Sequence, residues 1–202
     1  MQRGIGSGAV DAHAEVQDSL YSWGRLFVCL LLGAIGNIGM WSVVVVLPTV
    51  QDAFGIARNG ASFPYAMSMI GYAVGGYVMG RLADRVGIMI PILIGCVSLF
   101  AGFILISQVT SIVQFAIVQG VMIGFFGSAA VFGPLMADIS MWFERRRGLA
   151  VAMVASGNYI SGTIWPPLIQ RMVETIGWRE THVVMGILCL LIMLPLAFLL
   201  NR

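Results

Sequence analysis

The sequence predicts an all-α, polytopic membrane protein built as a six-transmembrane-helix bundle. Three observations carry that prediction. Of 202 residues, 59% are apolar and only 10% charged, against the roughly 25% charged of a soluble domain. Mean hydropathy is +0.93, and the apolar residues gather into six segments long enough for lipid. The eleven basic residues, all arginine, cluster between those segments or at their ends, so they report topology. The pI of about 8.6 therefore carries no implication of a nucleic-acid partner; membrane lipid is the partner implied.

The segments run from Leu26 to Val50, Ala61 to Ala83, Ile88 to Ser107, Ile112 to Ala137, Leu149 to Val173 and Val183 to Leu200. A helix rises about 1.5 Å per residue, so each can cross a hydrocarbon layer of about 30 Å. A strand period of two is absent, and backbone in lipid must satisfy its own hydrogen bonds, which leaves α-helices. Residues 1–24 form a polar tail: Asp11, Glu15 and Asp18 interrupt it, and it lacks the apolar core and small-residue cleavage site of a secretion signal. Residues 25–202 form the bundle.

With the amino terminus on one side and six crossings, Arg3, Arg25, Arg81, Arg85, Arg145, Arg146, Arg147 and Arg202 share that side, and Arg58, Arg171 and Arg179 lie opposite. Basic loops stay in the cytoplasm. Both termini are therefore expected inside, with the connections near Asp52–Gly60, Gln108–Ser111 and Glu174–Glu180 outside, in a plasma membrane such as the bacterial inner membrane. Connections this short make sequential helices antiparallel neighbours. Gly71 with Gly75, Gly76 with Gly80, and Gly120 with Gly124 stand four apart, a spacing that lets helix backbones approach. Pro48, Pro134, Pro166, Pro167 and Pro195 fall mostly toward span ends. Cys29, Cys96 and Cys189 lie inside apolar spans at no CxxC or metal-ligand spacing and read as small buried hydrophobes; no metal or cofactor is implied.

Two loops on the arginine-rich side carry more than anchoring charge. The first reads Gly80-Arg81-Leu82-Ala83-Asp84-Arg85-Val86-Gly87: Gly80 allows close helix approach, Gly87 a tight turn, and Asp84 beside Arg85 sets opposed charges at the membrane edge. It resembles the G-x-L-A-D-R-x-G signature of the major facilitator superfamily. The resemblance implies that Asp84 binds the start of a helix in the other half of a transporter and so favours one orientation of the two halves. The chain departs from the family pattern in placing Ile88 and Met89 where basic residues usually follow, and Ala116 where many proton-coupled members carry an intramembrane Arg.

The second loop runs from Asp138 through Trp142-Phe143-Glu144-Arg145-Arg146-Arg147-Gly148-Leu149-Ala150 and is followed by a small-residue stretch containing Gly157. It resembles the aromatic-Phe-x-basic-Arg-Arg-x-Leu-Ala signature of monocarboxylate transporters and the related oxalate/formate antiporters, with Ala152 where that branch often has Gly. The resemblance implies one six-helix half of a twelve-helix fold, here the amino-terminal half, completed by a further stretch of the same chain or by another chain; a partial sequence is the expectation. Gly80, Asp84, Arg85 and Gly87 would serve the conformational switch, with Asp138, Arg145, Arg146 and Arg147 as cytoplasmic-side partners.

Solute sites in such transporters lie near the bilayer midplane between halves. No charged residue falls mid-span, so the cationic partner of a carboxylate would belong to the other half. Within this half the candidates for lining are Asn37 and Trp41, one turn apart; Asn158, Ser161 and Trp165 at i, i+3 and i+7; Tyr65, Ser68 and Tyr72 in the same pattern; and Gln119.

The implied function is secondary active transport, as symporter or antiporter, of a small organic anion, a monocarboxylate, by alternating access. An intramembrane serine protease is set aside: Ser156-Gly157 and Ser161-Gly162 have no base in reach, since the histidines are His13 in the tail and His182 at the outer edge of the sixth span. The alternative from another class is a non-transporting membrane adaptor or assembly subunit, which would have no use for a paired acidic and basic turn at a seam between halves.

Overall fold

A computed structural model describes residues 19–55 and 62–200; the tail through Asp18, Arg58 and Arg202 lie outside the described residues. Every described element is helical. The first rod is α1 (Leu20–Gly36) and α2 (Ile38–Phe54), joined at Asn37. The second is α3 (Ser62–Val86) and the third α4 (Met89–Gln108). The fourth contains α5 (Ile112–Val118), a π-helical segment (Gln119–Ser128) and α6 (Ala129–Trp142). The fifth is α7 (Arg147–Ile176) and the sixth α8 (Trp178–Leu199).

Four rods, Leu20–Phe54, Met89–Gln108, Ile112–Trp142 and Trp178–Leu199, are long and apolar enough to cross a membrane, with mean hydropathy between 1.9 and 2.6. The other two, α3 with 25 residues and α7 with 30, have ample length at about 1.5 Å per residue but carry more polar side chains. The chain is an all-α, multi-pass integral membrane protein whose six rods form a helical bundle.

Element ends depart from the apolar segments where a cap or glycine decides. α1 starts at Leu20, ahead of the apolar stretch, because the Ser19 hydroxyl accepts the Ser22 amide at 3.4 Å and satisfies an end-of-helix donor. The connection expected over Glu174–Glu180 shrinks to Gly177: α7 runs through Ile176 and α8 begins at Trp178. Gly177 holds φ +87, a region open to glycine at no steric cost. Arg179 then donates to the Ser107 carbonyl at 2.8 Å and the Val109 carbonyl at 3.0 Å, capping the end of α4. The prolines sit inside helices: Pro48 in α2, Pro134 in α6, Pro166 and Pro167 in α7, Pro195 in α8.

Packing is set by the glycines. α3 lies along the π-helical segment, where a Cβ on Gly71 would collide with the Gly120 carbonyl, and one on Gly124 would sit 2.8 Å from the Ser68 carbonyl. Close backbone approach replaces the hydrophobic driving force that lipid cannot supply between helices. Gly76 and Gly80 differ: a Cβ at either would meet nothing within 4 Å, so that face of α3 is open. α4 packs on α8, α1 on α7, around a core with Leu32, Ile38, Leu99, Phe103, Phe115 and Ile123.

Candidate functional site

The first rod breaks at Asn37, whose φ −85 and ψ 0 end α1 and begin α2. Its side-chain amide turns back, Nδ2 donating to the Gly33 carbonyl at 2.8 Å, while Oδ1 is buried without a partner. One turn on, the Trp41 indole N–H is buried and unpartnered too. Irregular backbone at membrane depth is tolerated where it lines a cavity, and one is present. A cleft of about 280 Å³ is walled by Asn37, Met40, Trp41 and Val44 of the first rod, Tyr65, Met69 and Tyr72 of α3, and Asn158 of α7. The two rods of lower hydropathy, α3 and α7, thus both contribute to it, together with the first rod.

The wall carries aromatic rings, thioethers and two amides, and no charged group. Gly162 of α7 makes room for the Trp41 ring: a Cβ there would lie 2.5 Å from Cζ2 and 2.8 Å from Cε2. Asn37, Trp41, Tyr65, Tyr72 and Asn158, candidates from three different spans, therefore meet on one cavity. The remaining candidates stand away from it. Ser68 is fully buried and donates to the Pro64 carbonyl at 2.8 Å. Gln119 is fully buried, with Nε2 donating to the Gly39 carbonyl at 2.8 Å and Oε1 unpartnered. Trp165 donates to the Ala34 carbonyl at 2.8 Å, and Ser161 is buried with its hydroxyl unpartnered. Met40, Val44 and Met69 escape sequence reasoning, since nothing separates a lining thioether from a core one.

At the arginine-rich end, Asp84 and Arg85 are exposed on the last turn of α3, and Gly87 ends that helix at φ +84. Arg145, Arg146 and Arg147 are exposed, with Arg147 Nη2 3.3 Å from the Ser140 hydroxyl. Asp138 is buried and gripped bidentately by Arg25, whose Nε and Nη2 donate to Oδ2 at 2.7 Å and Oδ1 at 2.9 Å. Arg25 Nη1 also reaches the Leu200 carbonyl at 3.1 Å, and its guanidinium lies 4.7 Å over the Trp142 ring. One side chain thereby ties the ends of α1, α6 and α8. The sequence marks Arg25 as an anchor only, because no signal links it to an aspartate 113 positions away.

The profile of the Major Facilitator Superfamily matches residues 29–202. Among curated relatives, the chain is 34% identical over 122 residues to the MFS-type transporter pynF of Aspergillus niger, covering 60% of this chain and 28% of that protein. It is 26% identical over 149 residues to monocarboxylate transporter 11 of Homo sapiens, covering 74% of this chain and 31% of the relative. It is 27% identical over 145 residues to the uncharacterized MFS-type transporter YcxA of Bacillus subtilis, covering 72% and 36%. The chain thus spans about a third of the length of these relatives. Six helical rods, a glycine-packed interior, a cleft at a helix break and a profile match over most of its length agree: the chain belongs to the Major Facilitator Superfamily.

Proposed function

We propose that the chain is one six-helix half of a secondary active transporter that moves a small organic anion, a monocarboxylate, by alternating access, with the arginine-rich side in the cytoplasm. The observation that carries this reading is the cleft at the break in the first rod. There a buried acceptor, Asn37 Oδ1, and a buried donor, Trp41 Nε1, are left unpartnered. Unpaired polar groups in a low-dielectric interior are costly; a carboxylate has no proton for Asn37 Oδ1, so the pairing that recovers that cost runs through water entering with the solute. Discontinuous helices at such clefts are how secondary transporters hold solutes between halves. The likeness to a monocarboxylate transporter and the aromatic-arginine loop support the anion class, and the uncharged wall supports a cation for the carboxylate in the second half.

The open face of α3 supports a two-half assembly. Gly76, Gly80 and Asp84 lie four apart on one helical face, and the two glycines meet nothing. In our reading this face receives a helix of the other half, Asp84 facing the positive end of that helix. Asp84→Asn is expected to slow flux several-fold while leaving the bundle's thermal stability unchanged.

The central test is uptake of a radiolabelled monocarboxylate into proteoliposomes holding the whole transporter. Asn37→Leu and Asn158→Leu are each expected to reduce uptake at least tenfold, the loss of about 1.4 kcal/mol of pairing. Unchanged uptake in both variants would remove the cleft from the transport path.

A further inference from the structure

The cleft constrains the body of the solute as well as its charge, a constraint that rests on the transport reading above. Three of its lining residues are aromatic, two are methionines and one is valine, and none is charged. The Trp41 ring is backed by Gly162, where even a methyl group would press on Cζ2 and Cε2. It is a platform on a cleft wall to which Met40 and Met69 also contribute. Tyr72 is held in place by Phe132, with ring centroids 6.3 Å apart. A cavity of about 280 Å³ is several times the space that a carboxylate as small as acetate fills, and such an ion has only one methyl group to set against these rings.

We propose that the substrate is a monocarboxylate with a flat, apolar body, an aryl acid in its simplest form. Its ring stacks on Trp41 within the apolar wall while its carboxylate points toward the second half. Aromatic faces stack on one another and on thioethers beyond what area alone provides, and a rigid surface loses little entropy on binding. Gly162 is the positioning residue, since it sets how deeply the indole lies against α7.

The test is equilibrium dialysis of radiolabelled phenylacetate and acetate against the whole transporter in nanodiscs, with flux measured in parallel. Phenylacetate is expected to bind at least tenfold more tightly than acetate. Trp41→Ala should erase that advantage, Trp41→Phe should retain most of it, and Gly162→Ala should reduce it by displacing the ring. Equal binding of the two acids, or an advantage that survives Trp41→Ala, overturns the inference. Flux of acetate with no preference for phenylacetate also overturns it but leaves the transport reading intact. Strong Trp41-dependent phenylacetate binding without flux of any carboxylate supports the site and removes the transport reading instead.

Discussion

Asp138→Ala is expected to lower the stability of the bundle by about 3–5 kcal/mol, the usual cost of stranding one member of a buried ion pair. Arg25 is 7% exposed and Asp138 6%, so water cannot replace the lost carboxylate. The guanidinium would keep the Leu200 carbonyl at 3.1 Å, the Tyr21 side chain and the face of Trp142, all of them uncharged. Because the pair joins α1 to α6 and Arg25 reaches on to α8, the damage should spread across the arginine-rich end rather than stay in one helix. Reversible unfolding in mixed micelles by added SDS, followed by tryptophan fluorescence, measures it. The pair Arg25→Met with Asp138→Leu should recover most of the loss, since an apolar replacement of a buried pair is often neutral. If the double variant is as unstable as the single, the ion pair is not the cause. Exposed Arg146, changed to Ala in the same background, should shift stability by less than about 0.5 kcal/mol.

The second large effect lies where α3 meets the fourth rod. Gly71→Ala is expected to cost about 1–3 kcal/mol by overpacking, because the new methyl would occupy the position of the Gly120 carbonyl, a backbone atom that no rotamer change can move. Gly75→Ala should behave alike, its Cβ running into the Phe125 backbone. Gly80→Ala is the control: identical chemistry on the same helix, a Cβ in open space, and an expected change near zero or slightly stabilising from reduced unfolded-state entropy. The same SDS titration separates them. Equal losses at Gly71 and Gly80 would mean that helix propensity, not close approach, governs this seam.

The contrast between those glycines shows how far a single sequence can be read. Gly71/Gly75 and Gly76/Gly80 have the same spacing in the same helix, yet one pair is sealed against backbone and the other faces nothing. Spacing identifies a smooth face; which neighbour fills it depends on the rotation of α3 within the bundle. The same holds for the polar residues. Ser68 and Tyr72 are four apart on α3, but Ser68 is turned inward onto the Pro64 carbonyl while Tyr72 lines the cleft. The π-helical stretch, with Gly120, Gly124 and Gly127 inside it, gives no signal in hydropathy, although the glycines supply the backbone freedom that such widening needs.

The six rods were legible because lipid imposes a length and a composition on every crossing, and the loops because charge is excluded from hydrocarbon and collects at its edges. These are local constraints, satisfied residue by residue along the chain, so the sequence by itself determined the all-α class, the number of rods and the position of the charged turns. The tertiary structure alone decided that Arg25 meets Asp138, that the first rod breaks at Asn37 beside a cavity, and that Asn158 of α7 shares that cavity with Trp41 of α2. The physical reason is that these are contacts between helices far apart in the chain. Their geometry depends on how each rod is rotated and how closely its glycines let it approach, and no local rule encodes either.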